Sequence, residues 1–124
     1  MQQKIVKIFI ADDEVDILDI LKLMLKTHGY QVITSTDPNT IFEFKAAELP
    51  DIILLDIWMS GLDGRDICKQ LKQTALTKDI PVIFVSANSN IMEIAKECHA
   101  NGYIAKPFEM SHLLKTINAN LPAA

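Results

Sequence analysis

The chain has 124 residues, of which 49% are hydrophobic, and a formal net charge of -4 at pH 7. This length suffices for one domain with a full hydrophobic core, so we expect a single domain over residues 1–124. Sixteen acidic residues outnumber twelve basic ones, which argues against direct binding of nucleic acid, because that surface needs clustered Lys and Arg. No apolar stretch reaches the ~18–20 residues of a membrane helix and no signal-peptide pattern is present, so we expect a cytoplasmic protein without a membrane segment.

Five segments rich in β-branched and aliphatic residues alternate with five helical patterns. The predicted strands cover residues 4–11, 30–36, 52–55, 80–86 and 102–106, and the predicted helices begin near residues 14, 38, 64, 90 and 110. The third strand is a continuous aliphatic run, which is typical of a strand buried on both faces of a parallel sheet. The alternation therefore predicts an α/β fold with helices on both faces of one parallel sheet.

The two cysteines stand apart in the sequence. Cys68 and Cys98 lie on predicted helices and have no closely spaced metal-ligating neighbours. We therefore expect small buried hydrophobic side chains rather than metal ligands or redox groups.

Polar residues follow or end four of the predicted strands. They are Asp12 and Asp13 after the first strand, Asp56 after the third, Ser86 at the end of the fourth and Lys106 at the end of the fifth. Parallel strands bring these ends to one edge of the sheet, where open α/β sheets bind their ligands. We therefore expect these side chains to form one site.

Three carboxylates at one edge repel one another, and a hard divalent cation with oxygen ligands relieves that repulsion, as Mg²⁺ does. Alone, Asp12 and Asp13 could instead serve as a helix cap. A cation, carboxylates, an ammonium and a hydroxyl together suit transfer of a phosphoryl group. The motifs contain no histidine, cysteine or glutamate base, which makes Asp56 the candidate nucleophile and an aspartyl phosphate the product.

The order and spacing of five motifs resemble the receiver domain of two-component response regulators. The motifs are Asp12-Asp13, Asp56, Asp63-Gly64, Ser86-Ala87 and Lys106-Pro107-Phe108. The resemblance covers essentially the whole chain. It implies a flavodoxin-like, doubly wound sheet of five parallel strands in the order 2-1-3-4-5, with five helices.

The resemblance makes Asp56 the phosphoacceptor. It also implies that Asp13, the Asp56 carboxylate and the backbone carbonyl of Trp58 bind Mg²⁺, with Asp12 acting directly or through water. Lys106 would pair with a phosphoryl oxygen.

Two further residues would form the switch. The Ser86 hydroxyl would move to donate a hydrogen bond to the phosphoryl group, and Tyr103 would turn inward as it moves. The resemblance also implies a cis peptide bond between Lys106 and Pro107.

The resemblance implies a phosphorylation-dependent signalling switch, not an enzyme beyond its own phosphoryl transfer and autodephosphorylation. Its partners would be a sensor histidine kinase or histidine phosphotransfer protein and a downstream protein target. A homodimer that forms on phosphorylation is left open.

The loop after Asp56 departs from the family pattern at Ser60, which stands where a proline is common. The bulky Trp58 is a candidate to line the mouth of the site.

The residues themselves leave three other functions to consider. A magnesium-dependent phosphatase with an aspartyl nucleophile usually needs a second acid two residues later, where Trp58 stands. A flavin- or nucleotide-binding module would need a phosphate loop after the first strand, where acidic residues repel phosphate. A pseudo-receiver that only binds proteins would not need intact acids, Ser86 and Lys106.

Overall fold

A computed structural model describes residues 5–59 and 61–121 of the chain. The expectations for Lys4 at the start of the first strand and for Ser60 in the loop after Asp56 fall outside the described residues.

The core of the fold is a five-stranded parallel sheet. Its strands are β1 (Lys7–Ala11), β2 (Gln31–Ser35), β3 (Ile52–Leu55), β4 (Val82–Ser86) and β5 (Gly102–Ala105). They lie in the order β2-β1-β3-β4-β5, and every neighbouring pair is parallel. The predicted flavodoxin-like fold and strand order are confirmed.

Four α-helices connect the strands: α1 (Val15–Thr27), α2 (Gly64–Gln73), α3 (Ile91–Glu97) and α4 (Met110–Asn120). The helical segment predicted between β2 and β3 consists of two short 3-10 helices, Pro38–Glu43 and Ala46–Glu48.

The backbone of Phe44 explains why this segment is not a continuous α-helix. Phe44 is extended, with φ -75° and ψ 140°, and separates the two 3-10 turns. Its ring packs edge-to-face on Phe9 of β1, with the ring centroids 5.7 Å apart. Aromatic and β-branched residues have modest helix propensity, so core packing of Phe44 outweighs the local preference for helix.

The sheet buries two apolar layers, one on each face. One layer places Phe9, Leu55 and Phe84 against α2, α3 and the 3-10 segment. The other places Ile10 and Leu54 against α1 and α4. All four residues of β3 are buried, as expected of a central strand covered on both faces.

Both cysteines lie in the first of these layers and are free thiols, as predicted. The Cys68 thiol donates a hydrogen bond to the carbonyl of Cys98 at 3.5 Å. Burial raises the pKa of Cys68 to about 12, which keeps it a neutral thiol.

A two-stranded antiparallel hairpin lies between β3 and α2. It pairs Trp58–Met59 with Leu62–Asp63, and Gly61 in the turn has φ +81°. That left-handed conformation favours glycine. None of the helices within residues 5–59 and 61–121 has the length and apolar character needed to span a membrane.

Candidate functional site

Three carboxyl groups meet at the carboxyl edge of the sheet. Asp12 and Asp13 follow β1, and Asp56 follows β3, which pairs directly with β1. One oxygen from each of the three groups lies within 4.8 Å of the others. Asp12 is buried, Asp56 is half-buried and Asp13 is exposed. The structure therefore brings together the three acids that the strand ends predicted.

The backbone holds Asp56 at the end of β3. Its amide donates to the carbonyl of Ala11 at 3.1 Å, which extends the β1–β3 pairing beyond the last strand residue. Its Oδ1 accepts a hydrogen bond of 2.7 Å from the amide of Ile57. The other oxygen, Oδ2, faces the ammonium of Lys106. One carboxylate oxygen is thus fixed by the backbone, while the second faces the site.

Lys106 bridges the acids of the two strands. Its Nζ lies 2.8 Å from Oδ2 of Asp12 and 3.4 Å from Oδ2 of Asp56. The backbone amide of Lys106 donates to the carbonyl of Ser86 at 3.0 Å, which aligns the end of β5 with the end of β4. The peptide bond between Lys106 and Pro107 is cis, as the resemblance implied.

At both Asp56 and Lys106, burial and the charge of the ion-pair partner shift the pKa in opposite directions. Burial raises the pKa of Asp56; the Lys106 charge lowers it and the Asp12 charge raises it, and the net shift is upward. Burial alone would lower the pKa of Lys106, but the hydrogen bond to Asp12 and the charge of Asp56 raise it overall. Lys106 is therefore held as an ammonium beside a carboxylate that burial makes costly to ionise.

Ser86 ends β4, and Tyr103 lies on the neighbouring strand β5, two residues before its end. Ser86 is buried, and its Oγ accepts a hydrogen bond of 3.2 Å from the amide of Asn88. Tyr103 lies on β5 with 40% of its side chain exposed, opposite Phe84 in the register of the two strands. Tyr103 is therefore partly exposed, and its role as a switch residue stays a prediction.

The hairpin after Asp56 carries a cluster that sequence reasoning missed. The Arg65 guanidinium lies 5.4 Å from the ring centre of Trp58, a cation-π contact. Arg65 also forms an ion pair of 2.7 Å with Asp63, and Asp63 caps α2 by accepting from the amide of Arg65. Trp58 is 56% exposed. The only signal available from sequence was the single arginine of the chain, two residues after Asp63.

Gly64 makes a close approach that explains the Asp63-Gly64 motif. A Cβ atom at this position would collide with the carbonyl oxygen of Asp56. The amide of Gly64 also donates to the carbonyl of Ile57. The first residue of α2 therefore packs directly on the backbone that carries Asp56, and only glycine fits there.

The donor set of this edge fits a hard divalent cation. Three carboxylates with oxygens within 4.8 Å carry more negative charge than Lys106 alone balances. Oxygen ligands in small number, completed by water, are what Mg²⁺ takes in proteins. Asp12, Asp13 and Asp56 are the side chains that would hold it, and the Trp58 carbonyl lies on the hairpin that follows Asp56.

Comparison with known proteins agrees with this architecture. Residues 8–118 match the family described as the response regulator receiver domain. The chemotaxis protein CheY4 of Vibrio cholerae is similar, with a TM-score of 0.84 and 25% identity over 95% of this chain and 100% of that one. The signal receiver domain of a histidine kinase from Syntrophus aciditrophicus has a TM-score of 0.83 and 27% identity over 94% of this chain and 89% of that one.

A third structure, the response regulator TrrA of Thermotoga maritima, was solved in complex with Mg²⁺ and BeF. It has a TM-score of 0.82 and 24% identity over 94% of this chain and 100% of that one, so its likeness supports the fold. The family match covers most of the chain and agrees with the acidic edge and the strand order. The chain belongs to the response regulator receiver domain family, the signalling switches of two-component systems.

Proposed function

We propose that this chain receives a phosphoryl group on Asp56 and changes a protein-binding surface in response. The observation that carries the proposal is the position of Asp56. Its carboxylate lies within 4.8 Å of those of Asp12 and Asp13, and its Oδ2 is 3.4 Å from the ammonium of Lys106. Receiver domains bind Mg²⁺ at their acidic site, and the acids of this chain form such a site.

Asp56 acts as the nucleophile in the proposed transfer. A carboxylate oxygen attacks the phosphorus of a phosphohistidine, the new bond is O–P, and the P–N bond breaks with its electron pair leaving on the imidazole. The backbone amide of Ile57 already holds Oδ1 of Asp56 at 2.7 Å, so Oδ2 is the oxygen presented to the donor. The product is an aspartyl phosphate, a mixed anhydride, and its added negative charge must be balanced by nearby positive charge.

Lys106 supplies the positive charge that this transfer needs from the chain itself. Its ammonium is held between Asp12 and Asp56, where a phosphoryl oxygen on Asp56 would arrive. Mg²⁺, when bound by Asp12, Asp13, Asp56 and the Trp58 carbonyl, supplies charge neutralisation of the phosphoryl oxygens.

In the proposal, Ser86 and Tyr103 change position when Asp56 is phosphorylated. The phosphoryl group adds about 1.5–2 negative charges and three acceptor oxygens, to which the Ser86 hydroxyl can donate. A move of Ser86 toward Asp56 breaks the 3.2 Å contact with the Asn88 amide. The freed space allows the exposed Tyr103 to turn inward, so the surface of α3, β5 and α4 changes for a downstream protein.

The phosphodonor has a candidate docking surface beside the site. A cavity of about 480 Å³ opens between α1 and the loop after β5, and Lys106 is one of the residues that line it. The other residues that line it are Ile17, Ile20, Leu21, Met24, Ala87, Pro107, Phe108 and Met110. We refer to it as the α1 groove. Its apolar lining suits a helix of a histidine kinase or histidine phosphotransfer protein, which would then reach Asp56.

Intact-protein mass spectrometry tests the proposal. The protein is incubated with a small-molecule phosphodonor, with and without Mg²⁺, beside Asp56→Asn. We expect one phosphoryl adduct that requires both Mg²⁺ and Asp56. An adduct that still forms on Asp56→Asn would show that Asp56 is not the nucleophile. A folded protein that forms no adduct would favour the pseudo-receiver. Loss of the adduct with time measures autodephosphorylation, which is part of the proposal. The cytoplasmic location stays a prediction.

A further inference from the structure

Helix α1 exposes an unusual amount of apolar surface. Of the nine large hydrophobic side chains that are exposed in the described part of the chain, four lie on this helix. Leu23 is 69% exposed and Ile20 is 57% exposed. These two residues are three positions apart and therefore adjoin on the helix surface. Together they form a contiguous exposed apolar surface, which is the kind of surface that binds partners.

The charges around this apolar pair are ordered along the helix. Asp16 and Asp19 lie in its first half, and Lys22 and Lys26 lie in its second half; α1 has no base before Lys22 and no acid after Asp19. None of the four forms an ion pair with another residue that the structure describes. Their charges are thus available to another molecule.

The charge pattern of α1 is complementary to that of a second α1 when the two helices run antiparallel. When two copies of α1 run antiparallel, the acidic half of each faces the basic half of the other, whereas a parallel pair opposes like charges. The antiparallel arrangement also opposes the two helix dipoles favourably. A two-fold axis generates such a contact, because the same patch is used on both molecules.

We propose that α1 binds α1 of a second copy of this chain, antiparallel about a two-fold axis. The surface used, which we term the α1 outer face, consists of Asp16, Asp19, Ile20, Leu23 and Lys26. Leu23 of each copy lies against Ile20 of the second copy. The aspartates at one end of the face lie beside the lysine at the other end of the second copy.

The size of the contact sets its strength. Helix α1 has 13 residues, so it is about 20 Å long at ~1.5 Å per residue. One pair of such helices buries less than the ~1,200 Å² of a standard interface, which places it among weak and transient contacts. We expect a dissociation constant of about 10–500 µM. Added salt weakens the contact, since it screens the exposed charges.

A consequence follows that rests on the proposed function. Ile20 belongs both to the α1 outer face and to the α1 groove, in which the phosphodonor docks. A second copy on this face therefore excludes a protein phosphodonor. A small-molecule donor does not need the groove, so dimerisation leaves its reaction at Asp56 unchanged.

Sedimentation equilibrium of the full chain, over about 5 µM to 1 mM, tests the inference. We expect the average mass of the wild type to rise toward that of a dimer and that of Leu23→Glu to stay monomeric. The matched control is Leu76→Glu, because Leu76 is 56% exposed and lies outside α1; it should associate like the wild type. Circular dichroism shows whether each variant is folded.

Charge variants test the role of charge in the contact without changing an apolar residue. Asp16→Lys with Asp19→Lys makes α1 wholly basic, and Lys22→Glu with Lys26→Glu makes it wholly acidic. We expect each variant alone to be monomeric and an equimolar mixture to sediment as a dimer. A wild type that stays monomeric at about 1 mM overturns the inference, as does equal loss of association in Leu76→Glu, or association of either charge variant alone. No phosphoryl transfer enters these measurements, so their failure is distinct from failure of the proposed function.

Discussion

Lys106 and Asp12 are 94 positions apart in the sequence, yet the Lys106 ammonium lies 2.8 Å from Oδ2 of Asp12. The same ammonium is 3.4 Å from Asp56, so one cation balances the acids of two neighbouring strands. A metal cation bound at this site would contact the same carboxylates as the Lys106 ammonium. The stability of the fold and the binding of Mg²⁺ are therefore linked through Lys106.

Lys106→Met tests this linkage. Removal of the ammonium leaves the buried Asp12 beside Asp56 without compensation, so we expect the metal-free protein to lose about 1–3 kcal/mol of unfolding free energy. Added Mg²⁺ should restore more stability to the variant than it adds to the wild type, because the metal takes over the lost charge balance. Urea unfolding with and without Mg²⁺ measures both effects.

The exposed Lys115 provides the matched control for that experiment. Lys115→Met removes an equal charge that forms no ion pair with a described residue, and it should change neither the stability nor the response to Mg²⁺. Equal Mg²⁺ responses of Lys106→Met and wild type would show that the ammonium and the metal do not compete.

Asp56→Asn should stabilise the metal-free protein at neutral pH. Burial, followed by the charge of Asp12, raises the pKa of Asp56, so its ionised form destabilises the fold. The penalty exists at pH values above the folded pKa and disappears as the pH falls below the unfolded value of ~3.9, where both states are protonated. We expect a melting temperature about 2–6 °C higher than wild type at pH 7, and no difference near pH 3.

Asp12→Asn provides the contrast, since it removes the closest partner of Lys106 and should lower the melting temperature. Thermal unfolding in a chelating buffer compares the three proteins across pH. A destabilised Asp56→Asn at pH 7 would mean that the contact with Lys106 outweighs the cost of burial.

Asp63 contributes a helix cap and an ion pair, which two substitutions separate. Asp63→Ala removes both and should cost about 1 kcal/mol or more of unfolding free energy. Asp63→Asn keeps the acceptor for the amide of Arg65 and loses only the partly exposed ion pair, so it should cost much less than Asp63→Ala.

The hydrogen bond from Arg65 lowers the pKa of Asp63, so its ion pair stabilises the fold at pH values above ~3.9 and is lost as the pH falls through the folded pKa. The gap between wild type and Asp63→Asn should therefore close in acid. Urea unfolding at pH 7 and pH 3 measures it, and a gap that persists in acid would assign it to something other than the ion pair.

The strand ends were predictable because a parallel sheet converts sequence order into spatial order. Each aliphatic run of the sequence became a strand, and Asp12, Asp56, Ser86 and Lys106 came together at one edge. The segment from residue 38 to residue 49 was less predictable. Phe44 interrupts it with an extended backbone and packs its ring on Phe9, and such tertiary packing is not visible in local sequence.

The hairpin after Asp56 was also missed. Its strands are only two residues long, Trp58–Met59 and Leu62–Asp63, which is too short for a periodic pattern. The contact of Arg65 with Trp58 depends on that hairpin, and so it could not be deduced from spacing. The motif Asp63-Gly64 was visible, but its cause, the packing of Gly64 on the Asp56 carbonyl, required the structure.

Gly64→Ala should disturb the site through the backbone. The added methyl group collides with the Asp56 carbonyl oxygen, so either α2 or the loop that carries Asp56 must shift. We expect a loss of about 1–3 kcal/mol in unfolding free energy and slower formation of the phosphoryl adduct. Gln70→Ala, at an exposed position of the same helix, should change neither. If Gly64→Ala kept full stability and full reactivity, the close contact between Gly64 and the Asp56 carbonyl would not exclude a larger residue.

Trp58 should lengthen the life of the phosphoryl group on Asp56. Its indole is held by the Arg65 guanidinium at 5.4 Å, and it lies two residues after the acceptor, where it can restrict access of water. We expect Trp58→Asn to lose its phosphoryl group about 3-fold faster or more, a change of roughly 0.7 kcal/mol in barrier. Trp58→Phe keeps an aromatic ring and should stay nearer to wild type. The decay of the intact-mass adduct after removal of the donor measures the three rates, and equal rates would mean that the indole does not shield the site.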